Sequence, residues 1–320
     1  MLFGKTKMVN KMKKQKVAVL IPCYNEELTV KKVVTDFRKE LPEAIIYVYD
    51  NNSKDNTVKI AKKAGAIVVP EPNQGKGNVV RSMFRDIDAD IYVLVDGDDT
   101  YPADEVHKLI DAVKEGNDMV IGDRLSSTYY TENKRPFHNF GNDLVRWLIN
   151  KIFNNEIKDI MTGYRAFSRK FVKTIAVTSP GFQIETELTI TALEYRYNIK
   201  QISIQYRDRP EGSSSKLNTI SDGIKVLITL FDMAKDYRPL LFFTIVSLFT
   251  FALGLATGIP VLHEFRLTHY IAKLPSAILA SSLMVITALL MVLGLILDHQ
   301  ANLDKKNHEL LVNKWAEENK

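Results

Sequence analysis

The chain reads as an α/β protein on a mostly parallel sheet, followed by an amphipathic helix and a two-helix membrane hairpin. Three observations support this. Short apolar runs alternate with segments of helical period through the first half. Polar clusters at Asn25, Asp50, Asp96 and Asp123 close four of those runs, and in such sheets ligands bind beyond the carboxyl ends of the strands. Two uncharged apolar stretches, Pro239–Leu262 and Leu274–Leu297, hold 24 residues each, and a bilayer core takes about 20 in a helix.

In order, Val17–Ile21 is a buried strand. Val30, Val33, Val34, Phe37 and Leu41 then recur at helical spacing. Ile45–Tyr49 is a second strand, Thr57–Ala64 a helix, Ile67–Val69 a strand and Asn78–Arg85 a helix. Ile91–Val95 is a strand that stops at Asp96. Val106–Val113 is a helix and Met119–Ile121 a strand. Leu144–Phe153 reads as a helix with Trp147 and Ile152 on its apolar side, Glu185–Tyr195 as another, and Ile199–Tyr206 as a strand. Arg207–Lys216 is polar and rich in Gly and Ser, the composition of a loop. Ile224, Leu227, Ile228, Phe231 and Ala234 share one side of Ile220–Tyr237, which fits a helix lying on a bilayer.

The 320 residues suffice for one large domain and a membrane unit. Lys5, Lys7, Lys11, Lys13, Lys14 and Lys16 make a basic tail that anionic lipid would attract; the alternative is a solvated tail. No long apolar stretch follows it, so it is not a secretory signal. The net charge of +5 fits a membrane surface, and no basic–aromatic cluster argues for nucleic acid. Cys23 is the only cysteine, which excludes an intrachain disulfide and suits small core filler. The connector His263–Lys273 is short, so both flanks of the hairpin lie on one membrane side. Lysines and arginines around the spans place that side, with the catalytic part, in the cytoplasm.

Asp96, Asp98 and Asp99 follow a strand, and carboxylates are hard ligands suited to Mg²⁺ or Mn²⁺. Alone, Asp-x-Asp is also a common turn. Three further segments give it context: Ile21-Pro22-Cys23-Tyr24-Asn25-Glu26-Glu27, Asp50-Asn51-Asn52-Ser53-Lys54-Asp55-Asn56-Thr57, and Asn73-Gln74-Gly75-Lys76-Gly77-Asn78. In this order they resemble the family 2 glycosyltransferases, which implies a GT-A fold over roughly Lys16 to Leu217. Asp159–Phe167, Phe182–Leu188 and Tyr206–Leu217 resemble segments of the polyprenyl-phosphate sugar synthases, the group of dolichol-phosphate mannose synthases and their bacterial two-span relatives.

That resemblance implies roles by position. Pro22, Tyr24, Asn25, Glu26, Asp50, Asn52, Lys76 and Asp96 would bind the nucleotide-sugar. Asp96 and Asp98 would hold the metal. Asp98, Asp99 and Arg124 would be catalytic, with Asp99 the candidate base or further metal ligand. Arg165, Arg207, Arg209 and Lys216 would meet the acceptor phosphate. For Arg165 the alternative is a hold on a carboxylate such as Asp159. Thr100 stands where a Gln is common in the group. The implied partners are a UDP-sugar, a polyprenyl phosphate, the bilayer, further copies of the chain in a tetramer, and a downstream flippase and second transferase. UDP-N-acetylglucosamine ranks first as donor, UDP-glucose second, GDP-mannose third. A processive polysaccharide synthase would carry Gln-x-x-Arg-Trp, whereas Asp143-Leu144-Val145 precedes Arg146-Trp147 here. An inactive membrane scaffold would have no need of Lys76, Asp96 and Asp98 together.

The expected segments are a basic tail 1–16, a glycosyltransferase domain 17–218, a juxtamembrane helix 219–238, spans 239–262 and 274–297 around an external connector 263–273, and a cytoplasmic tail 298–320.

Overall fold

The computed structural model describes residues 15–126, 136–181, 183–207, 231–232 and 235–319. The chain divides into two units. The first holds the described residues up to 126 and from 157 to 207, and is a seven-stranded sheet with helices. Its elements are β1 Val17–Cys23, α1 Val30–Glu40, β2 Ile45–Asp50, α2 Thr57–Lys63, β3 Ile67–Pro70, α3 Lys76–Asp86, β4 Ile91–Leu94, α4 Val106–Lys114 and β5 Met119–Asp123. β6 Arg165–Ser168, α6 Arg169–Thr174, α7 Ile184–Glu194 and β7 Ile199–Ser203 complete it; α5 lies in the second unit.

The strand order is β3-β2-β1-β4-β6-β5-β7. All pairings are parallel except those of β6, which runs antiparallel to both β4 and β5. The ends of β1, β2, β4 and β5 therefore share one edge, and Asn25, Asp50, Asp96 and Asp123 fall there. Ala18–Ile21 and Ile91–Leu94 are buried at every position, because helices cover both faces. Each such aliphatic side chain contributes about 1.5–3 kcal/mol on burial. α1 packs Val30, Val33, Val34 and Phe37 into the core, at the spacing the sequence shows.

The second unit holds the described residues 136–156 and 231–319. Its helices are α5 Pro136–Phe153, α8 Pro239–Thr268 and α9 Leu274–Glu318. α8 and α9 are long and apolar enough to cross a membrane. They pack through small residues repeating every seven positions. Ser247, Gly254 and Val261 are buried on α8, and Ala280 and Gly294 on α9, where Thr287 at the intervening position bonds Thr250 at 2.9 Å. Gly294 leaves no room for a side chain, since a Cβ there would fall 2.8 Å from Phe243.

The segment after the second span, expected only as a tail, is helix out to Glu318. Two expectations change. α5 groups with α8 and α9, not with the sheet: Arg238 donates to the Ile152 carbonyl at 3.2 Å and its guanidinium lies over Phe153. Trp147 is 59% exposed, while Val145 and Ile149 are buried. The basic tail up to residue 14 and most of the juxtamembrane helix 219–238 lie outside the described residues.

Candidate active site

The first two loops of the sheet edge are fastened to each other. Asn25 takes a φ of 54°, which asparagine tolerates. Its amide donates to Ser53 Oγ at 2.8 Å, and its Oδ1 accepts from Lys54 N at 2.7 Å. Glu26 N donates to Thr57 Oγ1 at 2.8 Å. Pro22, Tyr24 and Glu26, all half-buried, are thus held beside the end of β2. There Asp50 is 7% exposed; its Oδ2 accepts from Ser53 N at 3.3 Å, while its buried Oδ1 has no hydrogen-bond partner. A buried acceptor left unpaired costs about 1–3 kcal/mol, so a ligand N–H or O–H supplied at Asp50 is favoured.

A third loop is stapled to these by side chains of the second. Asn51 Nδ2 donates to the carbonyls of Glu71 and Asn73, and its Oδ1 accepts from Gly75 N at 2.7 Å. Asn52, at φ 65°, is exposed and donates to Pro72 O at 2.9 Å. Gly75 has a φ of 129°, and a Cβ there would meet Pro180 O at 2.2 Å. Gly77 lies equally close to Ser179, and Gly77 N donates to Gly181 O at 3.2 Å. Glu187 holds that neighbouring loop through the amides of Thr178 and Ser179.

The start of α3 is thereby fixed, and with it Lys76. Its ammonium donates at 2.5 Å to Asp96 Oδ1 and at 2.5 Å to Glu185 Oε1. Burial alone would lower the lysine pKa; the charges of Asp96 and Glu185 outweigh it and raise the pKa well above its ordinary value. Glu185 escaped the sequence reading as a site residue, because a glutamate in a first helical turn reads as a partner of the helix dipole.

Asp96 is seated against Gly163, where a Cβ would fall 2.2 Å from its Oδ2. Gly97 lies on Cys23, whose sulfur fills the space a Cβ would need, in keeping with its expected role as filler. Asp98 is 5% exposed, and its Oδ1 accepts from the amide and hydroxyl of Thr100 at 3.2 and 2.7 Å. Thr100, at the position where a Gln is common in the group, thus orients the second aspartate. Asp99 turns through a φ of 61° and accepts from Lys32 Nζ at 2.7 Å.

The basic residues separate. Arg124 Nε donates to Asp159 Oδ2 at 2.9 Å, its Nη2 to the Met161 carbonyl, and its guanidinium lies over Tyr206. Arg207 N donates to the Thr100 carbonyl at 2.9 Å, which brings exposed Arg207 next to the acidic cluster. Arg165 is a correction to the acceptor set. It is fully buried in β6 and donates to the carbonyls of Thr162 and Ile160 and to Thr189 Oγ1. Burial pulls its guanidinium pKa down to about 10. Asp159, its alternative partner, pairs with Arg124 instead. Arg209 and Lys216 lie outside the described residues.

Asp96 and Asp98, two carboxylates just past β4, are the donor types that an ion of the Mg²⁺ kind takes. Such ions take one or two carboxylates and complete their shell with water and phosphate oxygens. Among the described residues no group of three or more His, Cys, Asp and Glu converges, while Asp96, in its glycine notch, already holds one cation, the Lys76 ammonium.

The Glycosyl transferase family 2 profile matches residues 18–176. Glycosyltransferase AglJ of Haloferax volcanii is 35% identical over 250 residues, 78% of this chain and 82% of that protein. The dolichyl-phosphate hexose transferase of the same organism is 30% identical, over 66% of this chain and 90% of that protein. Among solved structures, Mycobacterium tuberculosis glucosyl-3-phosphoglycerate synthase, in complex with Mn²⁺ and UDP-glucose, superposes at a TM-score of 0.56 with 20% identity, covering 68% of this chain and 78% of that one.

Proposed function

The chain belongs to glycosyl transferase family 2, and from that premise we propose that it moves a sugar from a UDP-sugar onto a polyprenyl phosphate at the cytoplasmic face of a membrane. It is a glycosyltransferase with the GT-A fold. The observation that carries the finer reading is the Lys76–Asp96–Glu185 cluster, on the same edge of the sheet as the unpaired Asp50 oxygen. A cation beside a carboxylate suits a diphosphate leaving group, and Asp50 suits an N–H of the base or a ribose hydroxyl.

The lipid acceptor is supported by relatives that bear dolichyl phosphate in their names. One is a UDP-N-acetylglucosamine–dolichyl-phosphate N-acetylglucosaminyltransferase of Methanococcus voltae, 26% identical over 59% of this chain and 84% of that protein. The two apolar helices in the same chain support it independently. UDP-N-acetylglucosamine stands first among donors and UDP-glucose second.

Asp96 and Asp98 would hold Mg²⁺ or Mn²⁺, which neutralises developing diphosphate charge. Lys76 adds a fixed positive charge there. A lipid monophosphate has its second pKa near about 6 and is largely dianionic at neutral pH, so its oxygen attacks the anomeric carbon without a strong base. The new oxygen–carbon bond forms as the bond to the diphosphate breaks, and UDP leaves. In-line displacement inverts the centre, giving a β-linked lipid phosphate from an α-linked donor. Arg207 clamps the acceptor phosphate, since a guanidinium suits bidentate phosphate contact. Catalysis is then positioning and charge stabilisation.

The test is transfer of label from UDP-N-acetylglucosamine, UDP-glucose and GDP-mannose to undecaprenyl phosphate by the full chain in detergent. Metal-dependent labelled lipid from a UDP-sugar, lost in Asp98→Asn, supports the reading. Labelled lipid from GDP-mannose alone overturns the donor class. No labelled lipid from any donor with folded protein overturns the acceptor.

A further inference from the structure

We infer that Lys76 and the divalent cation compete for Asp96, and that Glu185 is a positioning residue that receives Lys76 when the metal arrives. The inference rests on the reading of Asp96 as a metal ligand. Lys76 Nζ sits at 2.5 Å from Asp96 Oδ1, on an oxygen that a metal would claim. The same ammonium sits at 2.5 Å from Glu185 Oε1, whose side chain is only 6% exposed. Two carboxylates share one lysine, so release from Asp96 leaves the charge paired rather than stranded in a site that is 11% exposed at Lys76.

The backbone makes this a side-chain exchange. Gly75 and Gly77 press on the Ser179–Pro180 carbonyls, and the amides of Gly77 and Asn78 donate to Gly181 and Pro180. The start of α3 is held close against this loop. Glu185 stands in the first turn of α7, two residues from Glu187, which anchors the same loop. Both ends of the Lys76–Glu185 pair are therefore rigidly mounted, and the free variables are the lysine torsions. An ammonium and a divalent ion on one carboxylate repel each other, so occupancy of Asp96 by the metal moves Lys76 onto Glu185 and toward an incoming diphosphate.

The prediction has opposite signs at the two partners of one residue. Mn²⁺ binding to the full chain without nucleotide is read from the free-ion resonance, with far-UV dichroism to verify folding. Lys76→Met removes the competitor and tightens Mn²⁺ by about tenfold. Glu185→Gln drives Lys76 wholly onto Asp96 and weakens Mn²⁺ by about fivefold to tenfold. Lys76→Arg keeps the charge and stays near the parent value. A purely structural lysine would not give opposed shifts. If Lys76→Met binds Mn²⁺ no more tightly while Asp96→Asn abolishes binding, the competition is wrong and the metal site stands. If Mn²⁺ binding is indifferent to Asp96→Asn and Asp98→Asn, the metal-site reading itself fails. Should Lys76→Met not fold, Glu185→Gln with Lys76→Arg decides: equal affinity in both overturns the inference.

Discussion

The Asp96 carboxylate occupies the space that a side chain at residue 163 would need, with its Oδ2 only 2.2 Å from where a Cβ would stand. Gly163 follows Thr162 in the loop before β6, so this loop, from a distant part of the sequence, shapes the acidic site.

Gly163→Ala therefore displaces Asp96 or the loop. Overpacking of this kind costs about 1–3 kcal/mol, and the expected outcome is a modestly lower Tm with at least a hundredfold loss of kcat/KM. Transfer kinetics and thermal unfolding of the same preparation check it; full activity would mean that Asp96 is not held where it must be.

Arg165 and Arg207 should part company. Arg165→Met leaves two buried carbonyls short of a donor, at about 1–3 kcal/mol each, so thermal stability drops while the folded fraction keeps its KM for lipid phosphate. Arg207→Ala should leave the Tm unchanged and raise that KM about tenfold, the worth of one charged phosphate contact. Melting curves beside lipid-phosphate titrations separate the two roles.

Asp50→Asn replaces a buried unpaired carboxylate oxygen by an amide of the same shape. Protein stability should hold or rise, while UDP binding weakens by about 1.5–3 kcal/mol, the worth of a hydrogen bond to a charged group. Calorimetric titration with UDP reads the difference.

Glu71 gives a pH dependence of known sign. Burial pushes its carboxyl up, but hydrogen bonds from Ser82 Oγ and from Asn73 outweigh it and hold it below its ordinary 4.5. A depressed folded value means stability that is fully present above about 4.5 and lost as pH falls through the folded value. Glu71→Gln should flatten the stability profile below pH 4.5, as measured by denaturant unfolding across that range.

In the second unit, a Cβ at Gly258 would stand 3.3 Å from that of Ala280. A Gly258→Cys, Ala280→Cys pair should oxidise once the helices part by a few tenths of an ångström, since disulfide Cβ atoms lie about 3.5–4.5 Å apart. Gly294→Leu, which collides with Phe243, should suppress the cross-link on a non-reducing gel.

β1, β4 and β5 were legible because they are short apolar runs buried on both faces. β6 was not, since Arg165-Ala-Phe-Ser168 is short and carries a buried arginine that reads as a phosphate ligand. Its antiparallel insertion between β4 and β5 pairs segments remote in sequence, which periodicity cannot see. β7 stops at Ser203 rather than Tyr206, because Tyr206 turns to meet Tyr101 edge to face and Arg207 N bonds the Thr100 carbonyl. At the site, the aspartates and Lys76 stood out as motifs. Glu185 and Gly163 lie inside motif segments, but no role was assigned to them, because their importance lies in what the fold brings to them across long sequence separations.

The most direct test of the central claim is UDP release by the full chain from its preferred UDP-sugar, with polyprenyl phosphate, with polyprenol or with no acceptor. Release matched one for one by labelled lipid, and only with the phosphorylated acceptor, is the predicted result. Equal release with polyprenol or with no acceptor would contradict a site built to let a lipid phosphate attack the sugar.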